Sequence, residues 1–160
     1  MQDLVKDLSD ALRMQNKKLV TAESCTGGMI ARAMTDLAGS SDVFERGFVT
    51  YSNDAKHELL NVKNETLDQF GAVSKETAAE MVSGALNNSH ADIAVSVTGI
   101  AGPSGGSDEK PVGTVCFGLA EKGSAVRTQT QVFSGSRSEV RDASTKHALS
   151  IVLESLRDHS

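Results

Sequence analysis

Hydrophobic residues recur along this chain in two rhythms, and their alternation outlines the fold. Leu4, Val5, Leu8, Ala11 and Leu12 fall at helical spacing and predict a first helix of about three turns. Lys18–Ala22 reads as a short strand, followed after Gly27 and Gly28 by a helix over Met29–Leu37 that Gly39 ends. Gly47–Tyr51 is strand-like, and Asn53 is the expected cap of a helix over Asp54–Leu60. Ser74 is placed to cap a long helix through Leu86, with Ala78, Met81, Val82 and Ala85 on its buried face.

The run Ala91–Val97 is apolar almost throughout and bounded by loops, as a strand buried on both faces should be. Val112–Ala120 and Ala125–Phe133 predict two strands of a hairpin around Glu121–Ser124. Ser136-Arg-Ser-Glu139 is a capping-box pattern that opens a last helix to about Leu156. Helices and strands interleave, so the fold class is α/β, with helices on both faces of a mixed β-sheet. The long irregular stretch Gly99–Pro111 has the length of a functional loop.

Composition narrows the setting. A chain of 160 residues with two prolines and no linker-like tract fits a single domain over 1–160. Few aromatics leave the core to Val, Leu, Ile, Ala and Met. No apolar run approaches the ~20 residues of a membrane span, and the charged N-terminal helix is no signal peptide, so the expected location is the cytoplasm, away from membranes. The net charge of −5 argues against a dedicated nucleic-acid binder. Cys25 and Cys116 have no CxxC spacing, and His57, His90, His147 and His159 form no ligand pattern, so neither a metal nor another cofactor is expected. The amphipathic terminal helices offer surfaces that a homodimer would bury.

Three segments carry the candidate chemistry. Thr21–Gly28, Tyr51–Lys56 and Ser96–Pro103 each place hydroxyl, small or Gly residues at the end of an apolar run. Ser24 sits at a strand-to-helix turn, near the backbone N–H groups of Cys25 through Gly28, where an oxyanion or phosphate can be held. Equally, Ser24 or Thr26 simply caps the helix that follows Gly27. Lys56 is a base for a serine if burial lowers its pKa, and otherwise an ordinary solvated lysine. Tyr51 either supports that pair or covers the sheet edge. If the strands run parallel, their carboxyl ends converge on one crevice, where open α/β sheets bind ligands. Arg46 and Arg137 are candidate cations, and each also suits a plain surface role. There is no P-loop, no Gly-x-Ser-x-Gly elbow, and Ser107–Lys110 matches S-x-x-K by chance, in a loop rather than on a helix.

In Thr21–Gly28, Phe44–Asn53, Gly71–Ser74, Ser96–Pro103 and Lys110–Thr114 the chain closely resembles the CinA C-terminal family, over nearly its whole length. The resemblance implies a three-layer α/β/α sandwich and hydrolysis of the carboxamide of nicotinamide mononucleotide to nicotinate mononucleotide and ammonia, a salvage step. It maps a serine–lysine pair onto Ser24 and Lys56, with Tyr51 as the associated hydroxyl that orients Ser24 or relays its proton. Where many relatives carry an acid, Ser104 stands here, so no acid contact is implied at that position. Thr26, Gly27, Gly28, Thr98, Gly99, Ala101 and Gly102 are the expected substrate contacts. The competing expectation is a non-catalytic nucleotide-binding relative that keeps the fold and pocket without turnover.

Overall fold

The computed structural model describes residues 1–158, and His159 and Ser160 lie outside them. The elements are α1 (Gln2–Met14), β1 (Leu19–Glu23), α2 (Met29–Thr35), β2 (Phe44–Val49), α3 (Asn53–Leu60), α4 (Asn64–Phe70), α5 (Lys75–Asn87), β3 (Ile93–Gly99), β4 (Thr114–Glu121), β5 (Arg127–Val132) and α6 (Arg137–Asp158). A 3-10 turn, Ser40–Asp42, precedes β2.

The sheet has the order β2-β1-β3-β4-β5. β1 runs parallel to both β2 and β3, whereas β4 is antiparallel to β3 and β5. The sheet is therefore mixed, as the sequence predicts. Strand alternation sorts side chains into two cores. Ile93, Val95 and Val97 join Leu19, Phe117 and Leu119 against α1, α2 and α6, through Leu8, Leu12, Ile30, Met34, Leu149 and Val152. Val20, Ala22, Ala94 and Ala120 face the other way, onto Leu60, Leu67, Met81, Val82 and Ala85 of α3, α4 and α5. The result is an α/β/α sandwich.

Small and polar residues on the second face let α5 approach closely. Ser96 Oγ donates to Ala78 O at 2.7 Å, and Thr98 Oγ1 donates to Ala72 O at 2.7 Å. A Cβ on Gly84 would lie 1.9 Å from Leu60 O, so α5 crosses the end of α3 at a distance that only glycine allows.

Several boundaries differ from the sequence expectations. Ser52, not Asn53, caps α3, its hydroxyl accepting from Ala55 N at 3.0 Å while Asn53 is already helical. β2 begins at Phe44 rather than Gly47 and stops at Val49, before Tyr51. β4 opens at Thr114 rather than Val112. The helix α4 is absent from the sequence expectations because Leu67 and Phe70 are the only apolar residues in Asn64–Phe70, too few to mark a helical period. Both halves of the capping box at α6 form, with Glu139 Oε1 accepting from Ser136 N and Ser136 Oγ from Glu139 N.

Candidate active site

Register brings the three segments together. Glu23, the last residue of β1, pairs with Val49 on one side and Val97 on the other. Ser24 N then donates to Val97 O and Thr50 N to Glu23 O, which carries the ladder one step further. β1 and β2 end at this level and β3 runs two residues further, to Gly99, so Ser24, Thr50–Tyr51 and Thr98–Gly99 share an edge. This is the carboxyl-end crevice where open α/β sheets bind ligands.

Alternation then decides which way each residue faces. Leu19 joins the α1/α2/α6 core and Val20 and Ala22 the opposite one, so Glu23 falls on the side of α2 and Ser24 on the side of α3. Glu23 is fully buried. Its Oε1 accepts from Thr26 Oγ1 (2.7 Å), Gly28 N (3.2 Å) and Ile30 N (3.0 Å), and its Oε2 from Ala31 N (3.1 Å). Donors alone converge on it, which matches the carboxylate form. Neither Ser24 nor Thr26 caps α2, because Glu23 does so from the preceding strand.

Lys56, one turn into α3, reaches across to Ser24. Its side chain is 1% exposed, and Nζ lies 3.0 Å from Ser24 Oγ, 3.0 Å from Thr50 O and 3.4 Å from Tyr51 O. Among the described residues no carboxylate pairs with it. Burial pushes its pKa below the ordinary lysine value, opposed only by the charge Cys25 would carry as a thiolate. Cys25 is also buried, which pushes its thiol up to about 11, so it is protonated at neutral pH and a poor nucleophile. Between two adjacent candidates, the hydroxyl with a base in contact is the better placed.

Ser24, Cys25, Tyr51, Asn53, Lys56, Ala72, Val73, Thr98, Gly99, Ala101 and Arg137 line a hollow of about 200 Å³. Tyr51 is not in the position expected for an orienter of Ser24. Its side chain is 60% exposed, and its hydroxyl accepts from Arg137 Nη2 at 3.0 Å. Only its carbonyl touches the Lys56 amine. Arg137 also donates through Nη1 to Gly102 O at 2.8 Å, so the Gly-rich loop and Tyr51 together fix an exposed guanidinium at the rim. Arg46 is remote from this hollow, bound to Glu45 and to Asn88 O.

The expected substrate contacts divide. Thr98, Gly99 and Ala101 line the hollow, whereas Thr26, Gly27, Gly28 and Gly102 do not. Thr26 Oγ1 and Gly28 N are spent on Glu23, Gly27 N donates to Ser24 O, and Gly102 O holds Arg137. Sequence reasoning missed Glu23, Thr50, Asn53 and the wall Ala72–Val73. An acid ending an apolar strand just before Gly27-Gly28 was the available signal for Glu23.

The CinA C-terminal domain model matches residues 1–156. The chain belongs to this family. It is 57% identical to the nicotinamide-nucleotide amidohydrolase PncC of Enterobacter agglomerans over 141 residues, 88% of this chain and 86% of that protein. It is 51% identical to the nicotinamide-nucleotide amidohydrolase PncC of Escherichia coli strain K12, over 93% of this chain and 90% of that one. The crystal structure of the competence/damage inducible protein CihA from Agrobacterium tumefaciens superposes with a TM-score of 0.94 at 46% identity, covering 98% of this chain and 94% of its own. Among the described residues no helix is long and apolar enough to cross a membrane.

Proposed function

We propose that this member of the family hydrolyses the carboxamide of nicotinamide mononucleotide, with Ser24 as nucleophile and Lys56 as general base. One observation carries the reading, the hydrogen-bond arithmetic of Lys56. A neutral amine has two N–H donors and one lone pair. In that form Thr50 O and Tyr51 O take the two donors and the lone pair faces Ser24 Oγ, whereas the ammonium donates to all three oxygens. Burial without an acid partner favours that neutral form, so the pair is poised to pass a proton from hydroxyl to amine.

In the first step the Ser24 proton moves to Lys56 and Oγ bonds to the carboxamide carbon. Among the described residues neither the amide N–H of Cys25 nor that of Thr26 donates to another residue, and both are assigned to the developing oxyanion. The lysine ammonium returns its proton to the leaving nitrogen as the C–N bond breaks, releasing ammonia and an ester on Ser24. Water, deprotonated by Lys56, then attacks the ester, and as the C–Oγ bond breaks Lys56 returns that proton to Ser24, freeing nicotinate mononucleotide. No step calls for a metal. Arg137, held by Tyr51 and Gly102, is the cation for the substrate phosphate at the rim, while Thr98, Gly99 and Ala101 form the wall against the ring. The α2 N-terminus is not assigned a phosphate, since Glu23 already fills it.

The test is incubation of the purified chain with nicotinamide mononucleotide, following ammonia and nicotinate mononucleotide together. Both should appear in equal amounts, unaffected by EDTA, and Ser24→Ala should abolish them. Tight binding without either product would reject the amidase and favour a non-catalytic nucleotide-binding module.

A further inference from the structure

We propose that Arg141 is a positioning residue for catalysis, which aims the amide N–H groups of Cys25 and Thr26 at the reacting oxygen by gripping the carbonyls of the same turn. The inference rests on the amidase reading above and extends it to a side chain outside the hollow.

Arg141 reaches the turn from α6, on the far side of the sheet from α3. Its Nε donates to Cys25 O at 3.0 Å and its Nη2 to Thr26 O at 3.4 Å. Among the described residues its guanidinium has no carboxylate within ion-pair distance, so two carbonyls are what this half-buried cation is placed for. A Cβ on Gly27 would lie 3.3 Å from Nη2, and glycine at φ +56 leaves the guanidinium its room.

The consequence follows from the planarity of the peptide unit. In a trans peptide the C=O and the following N–H point in opposite directions. Arg141 draws Cys25 O toward α6, which turns Thr26 N–H away from α6, to the side where Lys56 meets Ser24. Gly27 N holds Ser24 O at 3.0 Å, which fixes the plane carrying Cys25 N–H. Two adjacent peptide planes are thus locked by donors that never touch the substrate. Such donors aid the transition state only if their aim is set before charge develops.

The experiment compares Arg141→Ala and Arg141→Lys with the wild-type chain for kcat and KM on nicotinamide mononucleotide, with melting temperature measured alongside. Removing or misaiming one oxyanion donor lowers kcat by about 100-fold, so a loss of that order with nearly unchanged KM is expected. Methylguanidinium should restore part of the turnover of Arg141→Ala. Arg141→Lys should stay impaired, since one ammonium cannot reproduce a planar two-point grip. Near-wild-type kcat in a variant, or a loss confined to KM, overturns the proposal. So does failure of both variants to melt cooperatively, because Arg141 would then serve the fold alone. An inactive wild-type chain is a different outcome, one that removes the amidase reading and this inference with it.

Discussion

Replacing Lys56 with Met tests the central assignment without relying on turnover. The side chain is 1% exposed and has no acid partner, so burial lowers its pKa and charges the folded state a penalty for the ammonium. Each unit of lowering costs about 1.4 kcal/mol wherever pH is below both the folded and the unfolded values. Between those values the unfolded chain binds the extra proton, so wild-type stability rises with pH by up to about 1.4 kcal/mol per unit. Above an unfolded value of about 10.4 the penalty is gone. Met, similar in length, carries no such titration. Its own cost is the orphaned Thr50 carbonyl, whose 3.0 Å bond to Nζ is lost, at about 1–3 kcal/mol and independent of pH. Lys56→Met should therefore be inactive, and its stability relative to wild type should be highest at neutral pH and fall as pH rises. Urea unfolding of both proteins between about pH 6 and pH 10 reads this difference directly. Parallel stability curves would refute the reasoning, because they would mean that folding leaves the lysine's proton affinity unchanged. Wild-type kcat should climb as pH rises through the lowered Lys56 value, as the amine loses its proton.

Tyr51→Phe removes the hydroxyl that accepts from Arg137, so KM for nicotinamide mononucleotide should rise roughly tenfold with kcat largely kept. A collapse of kcat at constant KM would instead restore the hydroxyl to a proton-relay role. Glu23→Gln places an amide donor against one of four converging donors, and should cost about 1–3 kcal/mol in urea unfolding. An unchanged midpoint would show that the cap is dispensable. Gly84→Ala drives a methyl into Leu60 O and should destabilise by about 3 kcal/mol or more in the same measurement. Wild-type stability there would mean that α3 and α5 can part at little cost.

Much of this was legible in the sequence, for reasons that vary by residue. The run Ala91–Val97 announces a central strand because both of its faces are buried, and β3 does lie in the middle of the sheet. The capping box at Ser136–Glu139 is local chemistry and needs no tertiary context. The sequence pattern starts β2 late because Glu45 and Arg46 interrupt its apolar run, which an edge strand tolerates. The geometry of Tyr51 was not readable at all. Its place in Tyr51–Lys56 suggests a partner for Ser24, yet the direction of its side chain depends on Arg137, 86 residues further along the chain. Arg141 gave no signal either, since nothing in a helical arginine marks which carbonyls it will meet.

Glu23 connects these features in a way that bears on substrate orientation. A helix N-terminus directly after a nucleophile would ordinarily attract the phosphate of a nucleotide. Here the carboxylate, fully buried, takes the amides of Gly28, Ile30 and Ala31 for itself. A phosphate docked there would compete with these bonds and meet a like charge, at the depth where the carboxamide must react. The exposed cation, Arg137, stands instead at the rim of the hollow. On the proposed reading, the charges inside and outside the pocket therefore impose one direction on the substrate, phosphate outward and carboxamide inward. Glu23 does not take the amides of Cys25 and Thr26, which lie before the capped ones, and among the described residues they donate to no other residue. On the same proposed reading these donors meet an oxyanion rather than a resting anion, and that difference would separate a catalytic turn from a phosphate-binding loop.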